Sequence, residues 1–445
     1  MIGVPAMKER FDSIIIGAGM GGMCAAARLT AAGQRVLVLE KSPYLGGRCS
    51  HRMKNECRVT TGAIMIPMAP TSAIREAFDL LDVPMNMIEL TGRMRYRLQH
   101  GEYDQQQSGG GLRGVIKFAL QDDEEQTTRL FQEFVFAMEH IPNDCNTFRE
   151  WLEKRTGNDD VINLFQGFCA ALMGTNLHEI PAGEFFRFLV NSSRGSRFGM
   201  VAKGNGELME ALAEAIQLRG SRILTRTSCR EIVVEHGRAS GVLAHSKDRG
   251  EETFAANDIL SNTGPDRTVI LSGGREKFDT NYLAKLDRFP HQAPIFHISF
   301  LTDAPLIEDF DGCLVFGNNK NLIYLEIPSL ISPEISPSGR YLHTAFGAPT
   351  DATTKNLTAE FENTLHELEL NFPGKLASAE FLVKAKHSGQ SPGMHRWAGY
   401  MLPVSTSIKN LFNVGDGNAA PGTIGTEGAA SSAKEAVKQI LKRQP

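Results

Sequence analysis

The feature that most constrains this chain is a glycine-rich turn wedged between two apolar runs near its start. Phe11 to Ile16 is apolar and rich in β-branched residues. Gly17-Ala18-Gly19-Met20-Gly21-Gly22 follows at once, small residues from Met20 to Ala32 have helical spacing, and Arg35 to Glu40 reads as a second strand. A strand, GxGxxG, a helix and a strand closing on an acid, all within roughly 30 residues, form the β-α-β unit that binds a dinucleotide. Gly17 lets the chain turn tightly, Gly19 lets backbone approach a pyrophosphate, and Gly22 lets helix and strand pack closely. The helix N-terminus brings free N–H groups and the positive end of its dipole. Ala18 and Met20 complete the loop, while Glu40, with Lys41 beside it, is placed to accept hydrogen bonds from ribose hydroxyls. This unit alone leaves NAD and FAD open. A second copy, Gly109 to Gly114, follows QQQS rather than a strand, and the polar segment Gly101 to Gly114 is expected to be a mobile loop.

After Glu40 and five intervening residues comes Gly46-Gly47-Arg48. The run Glu40-x5-Gly-Gly-Arg resembles the start of the amine oxidase, phytoene desaturase and protoporphyrinogen oxidase superfamily of FAD enzymes. The resemblance implies FAD as cofactor, with Gly47 passing close to it and Arg48 contacting it near the pyrophosphate. Lys203 to Val242 is similar to the family's second adenosine-side segment, which puts backbone at Cys229 against the adenine. Asn257 to Pro265 resembles its strand returning to the substrate domain. Asn410 to Gly417 (NLFNVGDG) resembles its second FAD signature, which assigns Gly415 and Asp416 to the ribityl or pyrophosphate region. Pro421 to Ala430, with Thr423 and Ile424, would then bring backbone amides and a helix N-terminus to the N1/C2 edge of the isoalloxazine. Thr61-Gly62-Ala63-Ile64-Met65 resembles the flavin-side segment. One departure stands out: the tail reads GDGNAAPGTIGTEG where bacterial carotenoid desaturases read GAGTHPGAGIPG, which weighs against a carotenoid substrate.

The implied fold class is α/β: a discontinuous Rossmann-like FAD-binding domain of the glutathione reductase/amine oxidase type plus an α+β substrate domain. Residues 8–70, 200–265 and 404–445 make the first; residues 71–199, a helical lobe, and 266–403, an antiparallel sheet, make the second. Helices are expected at Ser72 to Leu81, Thr128 to His140, Gly204 to Gly220 and Thr358 to Leu370. Strands are expected at Asp258 to Asn262, Ile295 to Leu301, Leu314 to Phe316, Leu322 to Ile327 and Leu411 to Val414. Met1 to Ala6 are expected to add nothing to the fold.

Composition narrows the partners. With 47 basic and 51 acidic residues the chain offers no polybasic surface for nucleic acid. Seven scattered cysteines without a CxxC pair argue against a disulfide framework or a thiolate metal site and fit a reducing cytoplasm. No apolar run reaches membrane-spanning length, so only peripheral membrane contact stays open, as does homodimerisation.

The implied chemistry is removal of hydride from a hydrophobic small molecule to flavin N5 by a dehydrogenase or desaturase, with dioxygen, a quinone or another carrier as electron acceptor. A flavin amine oxidase and a redox-neutral isomerase or saturase using reduced FAD are the alternatives. His395, in HRWAGY, is a candidate proton acceptor. Trp397 beside it is a candidate wall of the site. His297 shares a strand face with Ile295 and Ser299 and is a third candidate catalytic residue. Lys203 and Lys386 read as surface lysines.

Overall fold

A parallel strand buried on both faces reads as a continuous apolar run, and Phe11 to Ile16 does so because it lies inside a sheet. In the computed structural model, which describes residues 9–90, 94–193, 197–289, 292–308, 310–389 and 391–443, the strand Glu9–Ile16 pairs in parallel with Val36–Leu39 on one side and Gly250–Ser261 on the other. Met1 to Ala6 lie outside the described residues. The full sheet runs Arg222–Leu224, Val36–Leu39, Glu9–Ile16, Gly250–Ser261, Arg238–Ser246, Thr227–Glu235, and Leu411–Asn413 also pairs with Gly250–Ser261. Beginning, middle and end of the chain thus share one sheet. The strand expected at Asp258 is the end of a twelve-residue one. Helices Met20–Ala31, Gly206–Leu218 and Gly425–Leu441 cover one face around Ile15, Val38, Leu260 and Val414.

The second large sheet has the order Glu380–His387, Ile295–Thr302, Tyr341–Gly347, Leu322–Glu326, Cys313–Phe316, Met94–Leu98, Gly101–Asp104. One face carries Phe296, Ile298, Phe300 and Leu325 and packs on the helix Leu357–Asn371. The other face meets the helical lobe, whose centre is an aromatic cluster in which Phe148 and Phe185 stack 3.5 Å apart.

Two expectations change. The strands Met94–Leu98 and Gly101–Asp104 extend the second sheet, so the block expected to be helical contributes a hairpin to it. Gly101 to Gly114 is not a loop: it forms that second strand, a helical turn Gln105–Ser108 and the start of the helix Gly111–Ala119. The reason is packing. A Cβ on Gly114 would lie 2.2 Å from the Tyr103 hydroxyl, so the glycines let the helix close onto the hairpin.

Candidate cofactor and active site

Three parallel strands, Glu9–Ile16, Gly250–Ser261 and Leu411–Asn413, end side by side, and the residues that follow them converge: Gly17, Asn262 and Gly415. The carboxyl ends of such strands are where α/β sheets bind ligands. Crowding here is extreme. A Cβ on Gly22 would sit 2.0 Å from the Gly17 carbonyl oxygen, and one on Gly21 2.9 Å from the Gly415 nitrogen. Asn262 is the hub between them: in its satisfied orientation its amide nitrogen donates to the Val414 carbonyl at 3.2 Å and its oxygen accepts from the Gly19 N–H at 3.2 Å.

The helix that opens at this point, Met20–Ala31, starts at Gly19 without a side-chain cap. Helix Gly425–Leu441 likewise starts at Ile424 uncapped. Ser72, Asp123, Thr147, Asn158 and Asp279 each cap their helices, whereas Gly111–Ala119, Gly206–Leu218, Pro265–Leu271 and Leu357–Asn371 also start uncapped. The place of Met20–Ala31 and Gly425–Leu441 beside the sheet's carboxyl edge is what sets them apart. Glu427, the acid of the last helix's first turn, is turned away: it accepts from Ser72 Oγ and the Ala73 N–H, both at 2.6 Å. Two helix N-termini with free amides suit a pyrophosphate at one and an anionic ring edge at the other. Glu40 accepts from the Ala18 N–H at 2.8 Å and the Ser42 N–H at 2.7 Å. A carboxylate has about four acceptor positions, so it keeps room for ribose hydroxyls. Lys41 is exposed. Cys229 sits at a bulge two residues past Thr227, whose N–H donates to the Glu40 carbonyl at 2.8 Å. Residues of this structure therefore fit a flavin dinucleotide.

The Gly46-Gly47-Arg48 turn and the segment Thr61 to Ile64 are locked together. Thr61 Oγ1 donates to the Gly47 carbonyl at 2.7 Å, the Ala63 N–H donates to the Arg48 carbonyl at 2.9 Å, and Asn205 Nδ2 donates to the carbonyls of Ala63 and Ile64 at 2.7 and 3.1 Å. Arg48 then reaches across the chain. Its guanidinium pairs with Asp416 at 2.5 and 3.2 Å and donates to the Gly393 carbonyl. Asp416 also accepts from the His395 N–H at 2.7 Å, and His395 Nδ1 lies 2.8 Å from the same carboxylate. Burial alone would push Asp416 up, but the charges and hydrogen bonds of Arg48 and His395 outweigh it and hold its carboxyl well below the ordinary range. Arg48, His395 and Asp416, three separate candidates in the sequence, are one ionic unit.

The other candidates fall as follows. Trp397 is buried and packs on Phe289, with Phe289 stacked on Tyr400 at 4.0 Å. His297 does share a face with Ile295 and Ser299. Burial, with a smaller contribution from His387, pushes its pKa down to about 3. Its Nε2 lies 2.9 Å from Ser299 Oγ and its ring stacks on Phe346. Thr423 Oγ1 donates to the Ala420 carbonyl at 2.6 Å, closing the turn before Ile424. Lys203 and Lys386 lie away from these groups, the first 4.0 Å from Glu334 and the second 2.9 Å from Thr358 Oγ1.

Several residues that shape the site escaped the sequence reading. Besides Asn262 and Asn205, Glu184 is buried in the lobe helix Ala182–Ser193 and accepts from the Gly422 N–H at 2.8 Å, while Asn191 of that helix donates to the Gly422 carbonyl at 2.8 Å. The turn before the last helix is thus held from the lobe. Burial is the largest influence on Glu184 and raises its pKa.

The sequence model of the family described as flavin containing amine oxidoreductase matches residues 20–441, from within the first glycine loop through the second. The chain belongs to this family. The family's description names a flavin, which the glycine loops and helix N-termini described above fit. Among curated relatives, the chloroplastic prolycopene isomerase of Daucus carota is 24% identical over 388 residues, which cover 77% of this chain but only 62% of that protein. An uncharacterised protein of Methanocaldococcus jannaschii is 23% identical and covers 96% of this chain and 98% of its own. An oxidoreductase from Methanosarcina mazei shares the fold with a TM-score of 0.85 at 23% identity over 96% of this chain and 100% of that one. A putrescine oxidase solved with putrescine bound shares it with a TM-score of 0.69 at 15% identity over 98% and 99%. Among the described residues no helix is long and apolar enough to cross a membrane, and no cluster of metal-ligating side chains occurs.

Proposed function

We propose that this family member removes hydride from a carbon of a largely apolar small molecule. The observation that carries the reading is the pair of uncapped helix N-termini, at Gly19 and Ile424, opening beside the carboxyl ends of one parallel sheet. In this reading Glu40 and the Thr227 to Cys229 backbone hold the adenosine. The Gly17 to Gly22 loop holds the pyrophosphate, and the turn from Gly422 to Ile424 faces the ring. Bound FAD supplies the hydride-accepting N5. Arg48 adds positive charge near the middle of the cofactor, and Asp416 and His395 fix its guanidinium. Ile64, Met65, Met200 and Phe346 belong to an apolar cluster that excludes water from the reacting end. The division into residues 8–70, 200–265 and 404–445 against 71–199 and 266–403 belongs to the same proposal, as does reoxidation by dioxygen, a quinone or another carrier.

The test is direct. Purified protein should carry a flavin absorption band, and added FAD should raise the melting temperature of stripped protein. A colourless protein that FAD neither colours nor stabilises overturns the reading. A second reading, isomerisation by reduced flavin without net oxidation, is supported by the name of the Daucus carota relative. It predicts turnover only after prior reduction of the flavin, with no acceptor consumed.

A further inference from the structure

The strand Leu322–Glu326 lies inside the seven-stranded sheet with a neighbour on each side, and both faces of the sheet are covered. Every residue in it is buried except Tyr324, which keeps part of its surface accessible. Met65 and Ile424, from the two segments that face the flavin in the reading above, are also only partly buried, and they pack at the margin of the same apolar cluster as Tyr324.

Glu326 lies two residues along on the same face, about 7 Å from Tyr324 at the strand's rise per residue. It is 4% exposed, and its Oε2 has no hydrogen-bond partner. Its cross-strand neighbours are Thr344, itself opposite Ser299, on one side and Cys313 on the other. Ser299 Oγ and Thr344 Oγ1 are 3.3 Å apart, and Ser299 meets His297 at 2.9 Å, so the hydroxyls of this row are already engaged. Burial acts on the Glu326 carboxyl and pushes it up to about 8, with no cation among the described residues to offset it. Leaving a buried acceptor unpaired is costly. Among the described residues Glu326 Oε2 thus has neither donor nor cation beside it, which leaves it open to a donor from outside the chain.

We propose that Glu326 anchors the polar head of the substrate, and that the substrate is an apolar carbon skeleton carrying one N–H or O–H donor, an ammonium or a hydroxyl. An ammonium would take up the carboxylate as a charge-assisted pair, and a hydroxyl would donate to it. Glu326 as anchor rests on the flavin position above only for where the reacting carbon lies. Binding of the head is independent of it.

The experiment uses the FAD-loaded full chain and its Glu326→Gln variant, which keeps the side chain's shape while removing a group that can ionise. Both are titrated, to about 10 mM, with primary alkylamines from butyl to decyl, the matching alkanols and the matching alkanes. Binding is read as a change in the flavin spectrum and in melting temperature. The wild type should bind amines or alcohols better than alkanes of the same length. Glu326→Gln should weaken the preferred series about tenfold or more and leave alkanes unchanged, and whichever series is weakened names the head. Equal binding by both proteins, or no binding of either headed series, overturns the anchor. If headed compounds bind and Glu326→Gln weakens them, but anaerobic mixing never bleaches the flavin, the anchor stands and the hydride-transfer reading falls.

Discussion

Glu326 also makes a prediction about stability that needs no ligand. The carboxyl rises from an ordinary value of 4.5 to about 8 on folding, because burial disfavours the charged form. Between those values the folded chain holds a proton that the unfolded chain has released. Stability therefore falls as pH rises through this window and levels off above about pH 8. A full pH unit is worth about 1.36 kcal/mol and the slope halves at the folded value, so from about pH 5.5 to about pH 8 the wild type loses about 3 kcal/mol that Glu326→Gln does not. An unfolding entropy of about 2.1 cal/mol/K per residue over 445 residues turns this into a melting-temperature gap of about 3 °C. The neighbouring titratable groups stay silent in the window: Cys313 and Tyr324 are pushed well above their usual values and His297 down to about 3. The assay is a thermal melt of both FAD-saturated proteins across that pH range. A gap that stays constant with pH refutes the buried, unpartnered carboxyl.

Asp416→Asn should lower the urea midpoint by an amount equivalent to about 2 kcal/mol, less than a fully buried pair would lose because the Arg48 side chain is 38% exposed. The depressed Asp416 contributes stability that is present above its unfolded value and lost as pH falls through its folded one, so acid titration should narrow the gap between variant and wild type. Gly22→Ala, placing a carbon 2.0 Å from the Gly17 oxygen, should yield insoluble or FAD-free protein, and a yellow, stable variant would refute the described loop. His297→Asn should leave the pH dependence of flavin reduction unchanged around neutrality, since His297 carries no proton to lose there; a displaced limb in the anaerobic rate profile would contradict this. Glu184→Ala should weaken FAD binding about tenfold, read by equilibrium dialysis, by freeing the Gly422 amide from its buried acceptor.

What the sequence disclosed was what local geometry demands. Gly17 to Glu40 is legible because its turn, helix and strand are each specified within a few residues, and the same holds for Asn410 to Gly417. Groups whose meaning depends on distant partners were opaque. Asn262 looks like an ordinary strand end until it is seen between Gly19 and Val414. Arg48, His395 and Asp416 were found singly, but nothing in their spacing says that they pair with one another. The hairpin Met94 to Asp104 was missed because MRYRL and GEYD read as polar, and their charged side chains lie in ion pairs such as Arg95 with Asp104 at 3.2 Å. Glu326 at the end of LIYLE reads as a solvent-facing residue, and only the lobe packed over the sheet makes it a buried one.

The parallel pairing of Glu9–Ile16 with Gly250–Ser261, and of that strand with Leu411–Asn413, also dictates an order of events during synthesis. The first strand leaves the ribosome long before either partner exists. At roughly 5–20 residues per second, the chain between Ile16 and Leu411 takes roughly 20–80 s to emerge. For roughly the first 12–50 s of that interval the glycine loop has no Asn262 to close against, and for all of it no Gly415, while the first strand has only Val36–Leu39 beside it until Gly250–Ser261 emerges. Cofactor capture is therefore a late step, reached only as the last helix leaves the ribosome, and the nascent chain depends until then on whatever shields its first strand.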